Sequence, residues 1–276
     1  MKKVWMPVRR YSRNTLGRDF VLSDIHGAYD LVLQAMRTAK FEPRTDRMFV
    51  NGDLVDRGDE SLRARKFLER EYVHAGLGNH EDFWINAYSE GVPDEAVVEM
   101  MGRRMNMGVG WWMKAPQAER NALVESFRML PLAMEVETDR GLVGIVHADV
   151  PHGMSWQEFT AGLEKGDSHV VQTALWGRSR VTAGDESGVV GVGRLFVGHT
   201  PQWAGPKRLG NVYAVDTGAI YRLQAGSVEE GRLTFASLVA ATGELAGVKE
   251  RLESSGMVDL RAGVEDQSVP FGSYTT

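Results

Sequence analysis

Short apolar runs that break off at Gly or Asp recur along this chain of 276 residues. They fall at 19–23 (DFVLS), 47–51 (RMFVN), 72–77 (YVHAGL), 142–146 (LVGIV), 194–197 (RLFV) and 212–215 (VYAV), each of strand length and bounded by turn residues. Between the first two, residues 28–40 place Leu31, Val32, Ala35, Met36 and Ala39 on one helical stripe, which predicts a strand, helix, strand unit. A second helix is predicted over 60–70, and the stretch from 82 to about 130 is helical in character, with Pro116 suited to a first helical position ahead of Ala118, Leu123, Val124 and Phe127. Ser155 followed by Glu158 has the spacing of a capping box. Two hairpins are expected, one joining 132–137 to 142–146 around 138–141, the other joining 221–224 to 233–239 around 227–231. The class is therefore α/β, with mixed sheets and helices outside them. No internal repeat or low-complexity tract divides the chain, so one domain is expected over 1–245, followed by a peripheral segment at 246–276 with a partly disordered polar tail.

Composition changes this picture little: 43% apolar and 25% charged residues are the balance of a globular protein with a sizeable core. The absence of cysteine has more consequence, because it removes disulfides and thiolate zinc sites and leaves oxygen and imidazole as the metal donors. The basic opening MKKVWMPVRRY runs into SRNTLGRDF rather than an apolar core, and no stretch reaches membrane-spanning length, so a cytoplasmic protein with no membrane partner is expected. A net charge of -5 argues against nucleic acid as the main partner.

Five motifs sit where the apolar runs end: DIHG from Asp24, GDLVDRG from Gly52, GNHE from Gly78, HAD from His147 and GHT from Gly198. In α/β proteins the crevice beyond the carboxyl ends of strands collects functional groups, so these motifs are expected to converge. Asp24 and His26, two apart in a segment leaving a strand, can chelate one ion. Asp53 can offer one carboxylate oxygen to that ion and the other to a second, whose shell Asn79, His147 and His199 would complete. Such mixed ligation suits Mn, Fe or Zn better than Ca or Mg. His80 can protonate a leaving oxygen with Asp56 as its carboxylate support, and Arg57 and Arg178 offer planar, permanently charged donors to phosphate.

The motif order resembles the metal-dependent phosphoprotein phosphatase family within the calcineurin-like metallophosphoesterases, over about Phe20 to Tyr221. HADVP, WGR at Arg178, GHTPQ and DTGAI from Asp216 are similar to its bacterial and phage branch, typified by the lambda phage protein phosphatase. The resemblance implies a four-layer α/β/β/α sandwich and two divalent ions, manganese in bacterial members. It puts Asp24, His26 and Asp53 on one ion and Asp53, Asn79, His147 and His199 on the other. His80 with Asp56 would be the acid pair, and Arg57 and Arg178 the phosphate clamps. Ser23 stands where the family has Gly, Leu77 where an Arg is common, and HAD where eukaryotic members have HGG. Asp149 has two readings, a hydrogen bond to a metal-ligating His or a turn cap.

Taken singly, each Asp-Gly or Gly-Asp pair is ordinary turn chemistry, and it is the order of five that favours a site. His74, His152 and His169 read as structural, Trp111 and Trp112 as core before substrate wall, and Arg103-Arg104 and Lys207-Arg208 as solvated charge. The function implied is a serine/threonine phosphoprotein phosphatase acting in one step through a dimetal-bound hydroxide, with phosphorylated protein or peptide as partner and small phosphoesters as further substrates. The alternatives are a symmetrical diadenosine tetraphosphate hydrolase and a catalytically silent metal-binding docking module. The sequence fixes neither the oligomeric state nor the physiological substrate.

Overall fold

The computed structural model describes residues 6–222, 231–239 and 257–260. The first sheet has six strands in the order β1 (Val8–Tyr11), β5 (Ala133–Thr138), β6 (Gly141–Val146), β7 (Arg194–Val197), β9 (Val212–Ala214), β8 (Lys207–Leu209). The second has five, in the order β11 (Met257–Leu260), β10 (Leu233–Ser237), β2 (Asp19–Leu22), β3 (Arg47–Val50), β4 (Val73–Ala75). Both are mixed. The parallel run β6, β7, β9 lies in the middle of the first sheet between antiparallel neighbours, and the parallel run β2, β3, β4 occupies one side of the second, with antiparallel β10 beside β2.

Side chains sort by the period of two that an extended strand imposes. Val21, Phe49, Met134, Val136, Val143, Ile145, Phe196 and Tyr213 form the layer shared by the two sheets. Their neighbours Phe20, Leu22, Met48, Val50, Leu195, Val197, Val212 and Ala214 belong to the larger core that the helices cover. Strands buried on both faces read as unbroken apolar runs, which is how six of them were visible in the sequence. The result is the expected sandwich of two mixed sheets flanked by helices.

Helix α1 (Tyr29–Thr38) follows β2, and the second predicted helix is a 3-10 turn at Asp59–Arg63 leading into the short α2 (Ala64–Leu68). The helical middle resolves into α3 (Asn79–Ala87), α4 (Glu95–Arg104), α5 (Gly110–Lys114) and α6 (Gln117–Phe127), with Pro116 at the N-cap of α6. Then come α7 (Trp156–Lys165), whose Ser155 and Glu158 form the capping box, α8 (Ser168–Trp176) and α9 (Ser179–Ala183).

The hairpin expected at 221–239 is corrected. Ala219–Arg222 is a 3-10 turn, and β10 pairs with β2 and β11 instead, its Phe235 stacked on Phe20 at 4.6 Å. Residues 223–230 lie outside the described residues, as do 246–256 and 261–276 of the expected peripheral tail; Met257–Leu260 forms an edge strand of the second sheet. Among the described residues no helix is long and apolar enough to cross a membrane.

Candidate active site

The parallel strands of both sheets end on one side, and the loops that leave them carry every predicted ligand. Asp24 and His26 follow β2, Asp53 follows β3, Asn79 opens α3 after β4, His147 follows β6 and His199 follows β7. The two sheets meet here: the His199 N–H donates to Asp24 Oδ2 at 3.0 Å, and His147 Nε2 lies 2.9 Å from Asn79 Oδ1.

The backbone is held in unusual conformations to achieve this. Seven non-glycine residues among those described have positive φ, and five are site residues: His26, Asp53, Asp56, Arg57 and His199. Each such residue costs roughly 1–3 kcal/mol and persists only where its surroundings over-determine it. At 53–55 the over-determination comes from Glu81, which is fully buried. Its Oε2 accepts from the N–H of Asp53 at 2.9 Å and Gly78 at 3.1 Å, and its Oε1 from Leu54 at 2.8 Å and Val55 at 3.3 Å. Burial and then the nearby Asp53 carboxylate raise this carboxyl group, while the four backbone N–H donors on its two oxygens favour the ionised form. Close approach explains two of the motif glycines. A side chain at Gly78 would meet Asp53 Oδ1, and one at Gly198 would meet Asp24 Oδ1.

Two groups of buried side chains bring ligand atoms within 4.8 Å of one another: His26, Asp53 and His80, and Asp53, His147 and His199. Asp53 belongs to both, through different oxygens. Its Oδ2 lies 3.4 Å from His26 Nε2 and 3.9 Å from His80 Nε2, while its Oδ1 lies 3.5 Å from His147 Nε2. Asn79 Oδ1 and His199 Nδ1, the latter 3.2 Å from His147 Nε2, complete the second group. Asp24 stands in neither close group, its carboxylate turned to the amide of His199.

The donors fit metal ions. Burial first, and neighbouring cations or imidazoles after it, push His26, His80 and His147 well below the ordinary imidazole range and bring His199 to about 3. This favours at His26, His147 and His199 the uncharged ring that can ligate a cation, while at His80 the Asp56 carboxylate 2.8 Å from Nδ1 works the other way, toward the charged ring. The second ring nitrogen of His26 lies 3.0 Å from the Val55 carbonyl, which turns Nε2 inward. The outer nitrogens of His147 and His199 are buried without a well-formed hydrogen bond, with the backbone of Asn51 and Trp176 beside them. Burial also raises Asp24 and Asp56 well above the usual carboxylate range, Asp53 to about 7 and Asp216 to about 6. Arg57 offsets part of the charge of these crowded carboxylates, and divalent cations among them would offset more.

Around the two groups stand the residues expected to handle phosphate. Asp56 Oδ2 lies 2.8 Å from His80 Nδ1, and its Oδ1 accepts from the indole N–H of Trp84 at 3.0 Å and Trp111 at 2.8 Å. Trp111 and Trp112 are core residues, Trp112 stacked on Trp84 at 3.7 Å, but Trp111 also has this polar contact with the site. Arg57 places Nη1 2.8 Å from His26 Nε2, with its guanidinium 5.7 Å from the Tyr221 ring. Arg178 is brought to the rim, where Nη1 donates to the His199 carbonyl at 2.9 Å and to Thr200 Oγ1 at 3.2 Å. Asp149 makes no hydrogen bond to a candidate ligand His; it caps its own turn at Val150 N–H and pairs with Arg180. His74 packs between the rings of Tyr11 and Phe49, and His152 pairs with Asp185 at the surface.

Sequence reasoning missed Glu81, Trp84, Arg180 and Asp216. Glu81 stood inside the quoted GNHE and Asp216 opened DTGAI, but nothing in their spacing announces backbone N–H partners or a place beside Asp24 and Asp53.

Two clusters of carboxylate and imidazole that share one aspartate define a candidate two-metal centre. The calcineurin-like phosphoesterase family matches residues 20–203, and the chain belongs to that family, which is dimetal-dependent. Serine/threonine-protein phosphatase 1 of Salmonella typhimurium is 30% identical over 209 residues, covering 73% of the chain and 87% of that protein. A symmetrical bis(5'-nucleosyl)-tetraphosphatase of Shewanella loihica is 28% identical over 236 residues, covering 83% of the chain and 75% of that protein. The fold is similar to that of a protein serine/threonine phosphatase from Saccharomyces cerevisiae, with a TM-score of 0.56 at 18% identity over 96% of this chain and 86% of that one. The protein is thus a phosphoesterase of the metal-dependent kind.

Proposed function

We propose that the protein is a phosphomonoesterase of the serine/threonine protein phosphatase type. The observation that carries this reading is Asp53 reaching into both ligand groups beside the His80–Asp56 pair. In it, Asp24, His26 and Asp53 hold one cation, manganese being our candidate, and Asp53, Asn79, His147 and His199 hold the other. Bound there, the cations would supply an activated water and draw charge from the phosphoryl oxygens. Arg57 and Arg178 clamp those oxygens, their guanidinium forks matching phosphate geometry. His80, its Nδ1 held by Asp56, keeps Nε2 toward the site and delivers a proton from that atom to the leaving oxygen. Asp56 stabilises the charged ring, and its two indole donors keep the carboxylate from turning away. Hydrolysis then proceeds in one step, without a covalent enzyme intermediate.

The 30% identity to the phosphatase relative, over 87% of that protein's length, supports a phosphoprotein as substrate. The second reading, hydrolysis of diadenosine tetraphosphate, rests on the 28% identity to that relative over 83% of the chain. Turnover of a phosphoserine peptide and of diadenosine tetraphosphate, measured side by side with manganese, separates them. Cleavage of the dinucleotide alone would overturn the phosphatase reading. His80→Asn should keep cation binding and lose about 100-fold or more in kcat, the usual worth of a positioned acid; an unchanged kcat refutes its role, whereas a parent that binds cations and turns over neither substrate would leave the docking-module alternative standing.

A further inference from the structure

Arg178 is an exposed side chain on the N-cap residue of α9, a helix of five residues. What fixes that short helix is a buried ion pair. The Asp149 and Arg180 side chains are each 2% exposed, and Arg180 Nε donates to Asp149 Oδ1 at 3.0 Å. The Arg180 backbone N–H also donates to Asp149 Oδ2, at 3.3 Å. Arg180 Nη1 is shared between Asp185 Oδ2 at 3.1 Å and the Gly188 carbonyl at 3.3 Å, and Nη2 reaches the Val150 carbonyl at 3.5 Å. One guanidinium therefore ties together the loop that carries His147, the first turn of α9 and the 185–188 loop.

We propose that the Asp149–Arg180 pair is a positioning element for phosphate binding: it holds the α9 backbone so that the Arg178 guanidinium stays over His199 and Thr200. This rests on the reading of Arg178 as a phosphate clamp. A buried ion pair is weak support for stability as such, since well-packed apolar residues often do as well. What this pair supplies is geometry. Arg178 is anchored through Nη1 alone, and a long exposed side chain whose Cα drifts spreads over many rotamers before an anion can meet it. Arg180 touches neither ligand group. Any effect it has on phosphate has to pass through Arg178 or through the fold as a whole, and a double-mutant cycle separates these.

The probe is inorganic phosphate, with its Kd measured by calorimetry on the full chain in excess manganese, for the parent, Arg178→Ala, Arg180→Lys and the double variant. Arg180→Lys keeps the charge but cannot reproduce the fork. Expected are a weakening of about 10-fold for Arg178→Ala, the loss of a charge-assisted pair, and about 5-fold for Arg180→Lys, shrinking to less than about 2-fold when Arg178 is already absent. Asp185→Asn, which loosens only one of the Arg180 contacts, should show the same dependence on Arg178 and serves if Arg180→Lys does not fold. Manganese binding and the urea midpoint are measured in parallel. Equal weakening by Arg180→Lys with and without Arg178 overturns the proposal, because the pair then acts through the fold at large. No weakening in a folded variant overturns it as well. If Arg178→Ala itself leaves phosphate binding intact, the clamp reading fails and the proposal with it.

Discussion

Replacing Glu81 with Gln changes one atom type at the point where the catalytic loop and the start of α3 are tied together. The carboxylate serves four buried backbone donors, two on each oxygen. An amide oxygen can still serve one pair, either Leu54 and Val55 or Asp53 and Gly78, but the NH2 group then faces the other pair donor to donor. Two buried N–H groups lose their acceptor at about 1–3 kcal/mol each, so the expected destabilisation is about 2–6 kcal/mol. That is a large part of the roughly 5–15 kcal/mol that holds a typical domain together. The loss has a local address as well. Asp53 has φ 51°, a conformation it keeps against about 1–3 kcal/mol of strain, and the bond from its own N–H to Glu81 is part of what keeps it there. Freed, Asp53 turns toward ordinary φ and withdraws both oxygens from the two ligand groups. Urea unfolding with chelator present reads the first effect, and calorimetric titration with manganese reads the second. Glu81→Gln should lower the midpoint and weaken cation binding at both positions, without altering any ligand. An unfolding free energy within about 0.5 kcal/mol of the parent, the range of a neutral surface change, would refute the argument that these four bonds hold the loop.

Other expectations follow from the same geometry. Asp53→Asn should weaken both cations together, whereas the parent should gain about 2.7 kcal/mol of stability from each site at a cation concentration 100 times its Kd; thermal melts across a manganese titration show whether the variant's gain disappears. Trp111→Phe keeps the ring but removes one donor to Asp56, so about 1.5–3 kcal/mol should be lost in urea and kcat should fall while KM holds. His74 is pushed down to about 4 by burial, with Arg47 and Arg9 adding to it. The unfolded chain binds a proton there near pH 6.5 that the folded chain resists until about pH 4, so stability is full above that window and falls through it as pH drops, by at most about 3 kcal/mol. His74→Gln should flatten the slope of urea stability between those pH values.

The strands most easily read from the sequence were those whose surroundings repeat on both faces. DFVL, RMFV and RLFV are buried throughout or nearly so, and no other element explains such runs. β1 (VRRY) and β8 (KRL) escaped because edge strands leave one side to water, and arginine and lysine there read as solvated charge. The expected strand at 221–224 followed apolar content alone. Tyr221 instead closes a 3-10 turn and sets its ring beneath the Arg57 guanidinium and against Trp203.

At the site the sequence offered two readings of each Asp-Gly pair, turn chemistry or ligand, and the structure makes them one. Gly52 at φ 124° and Asp53 at φ 51° do form a sharp turn, and it is that turn which swings the Asp53 carboxylate between His26 and His147. The candidate ligands were legible as a group because each lies in the loop just beyond the carboxyl end of an apolar strand. The parts that hold them were not, because their partners are backbone groups. Glu81 looks like any first-turn acid on α3, and its four donors lie in three different residues of the GDLV loop and in the glycine of its own motif. Arg180 looks like surface charge two residues from the arginine that was noticed, yet it is the buried one. Motif order therefore locates the chemistry, while the strain that aims it is balanced by residues whose only signature is the shape of the loops around them.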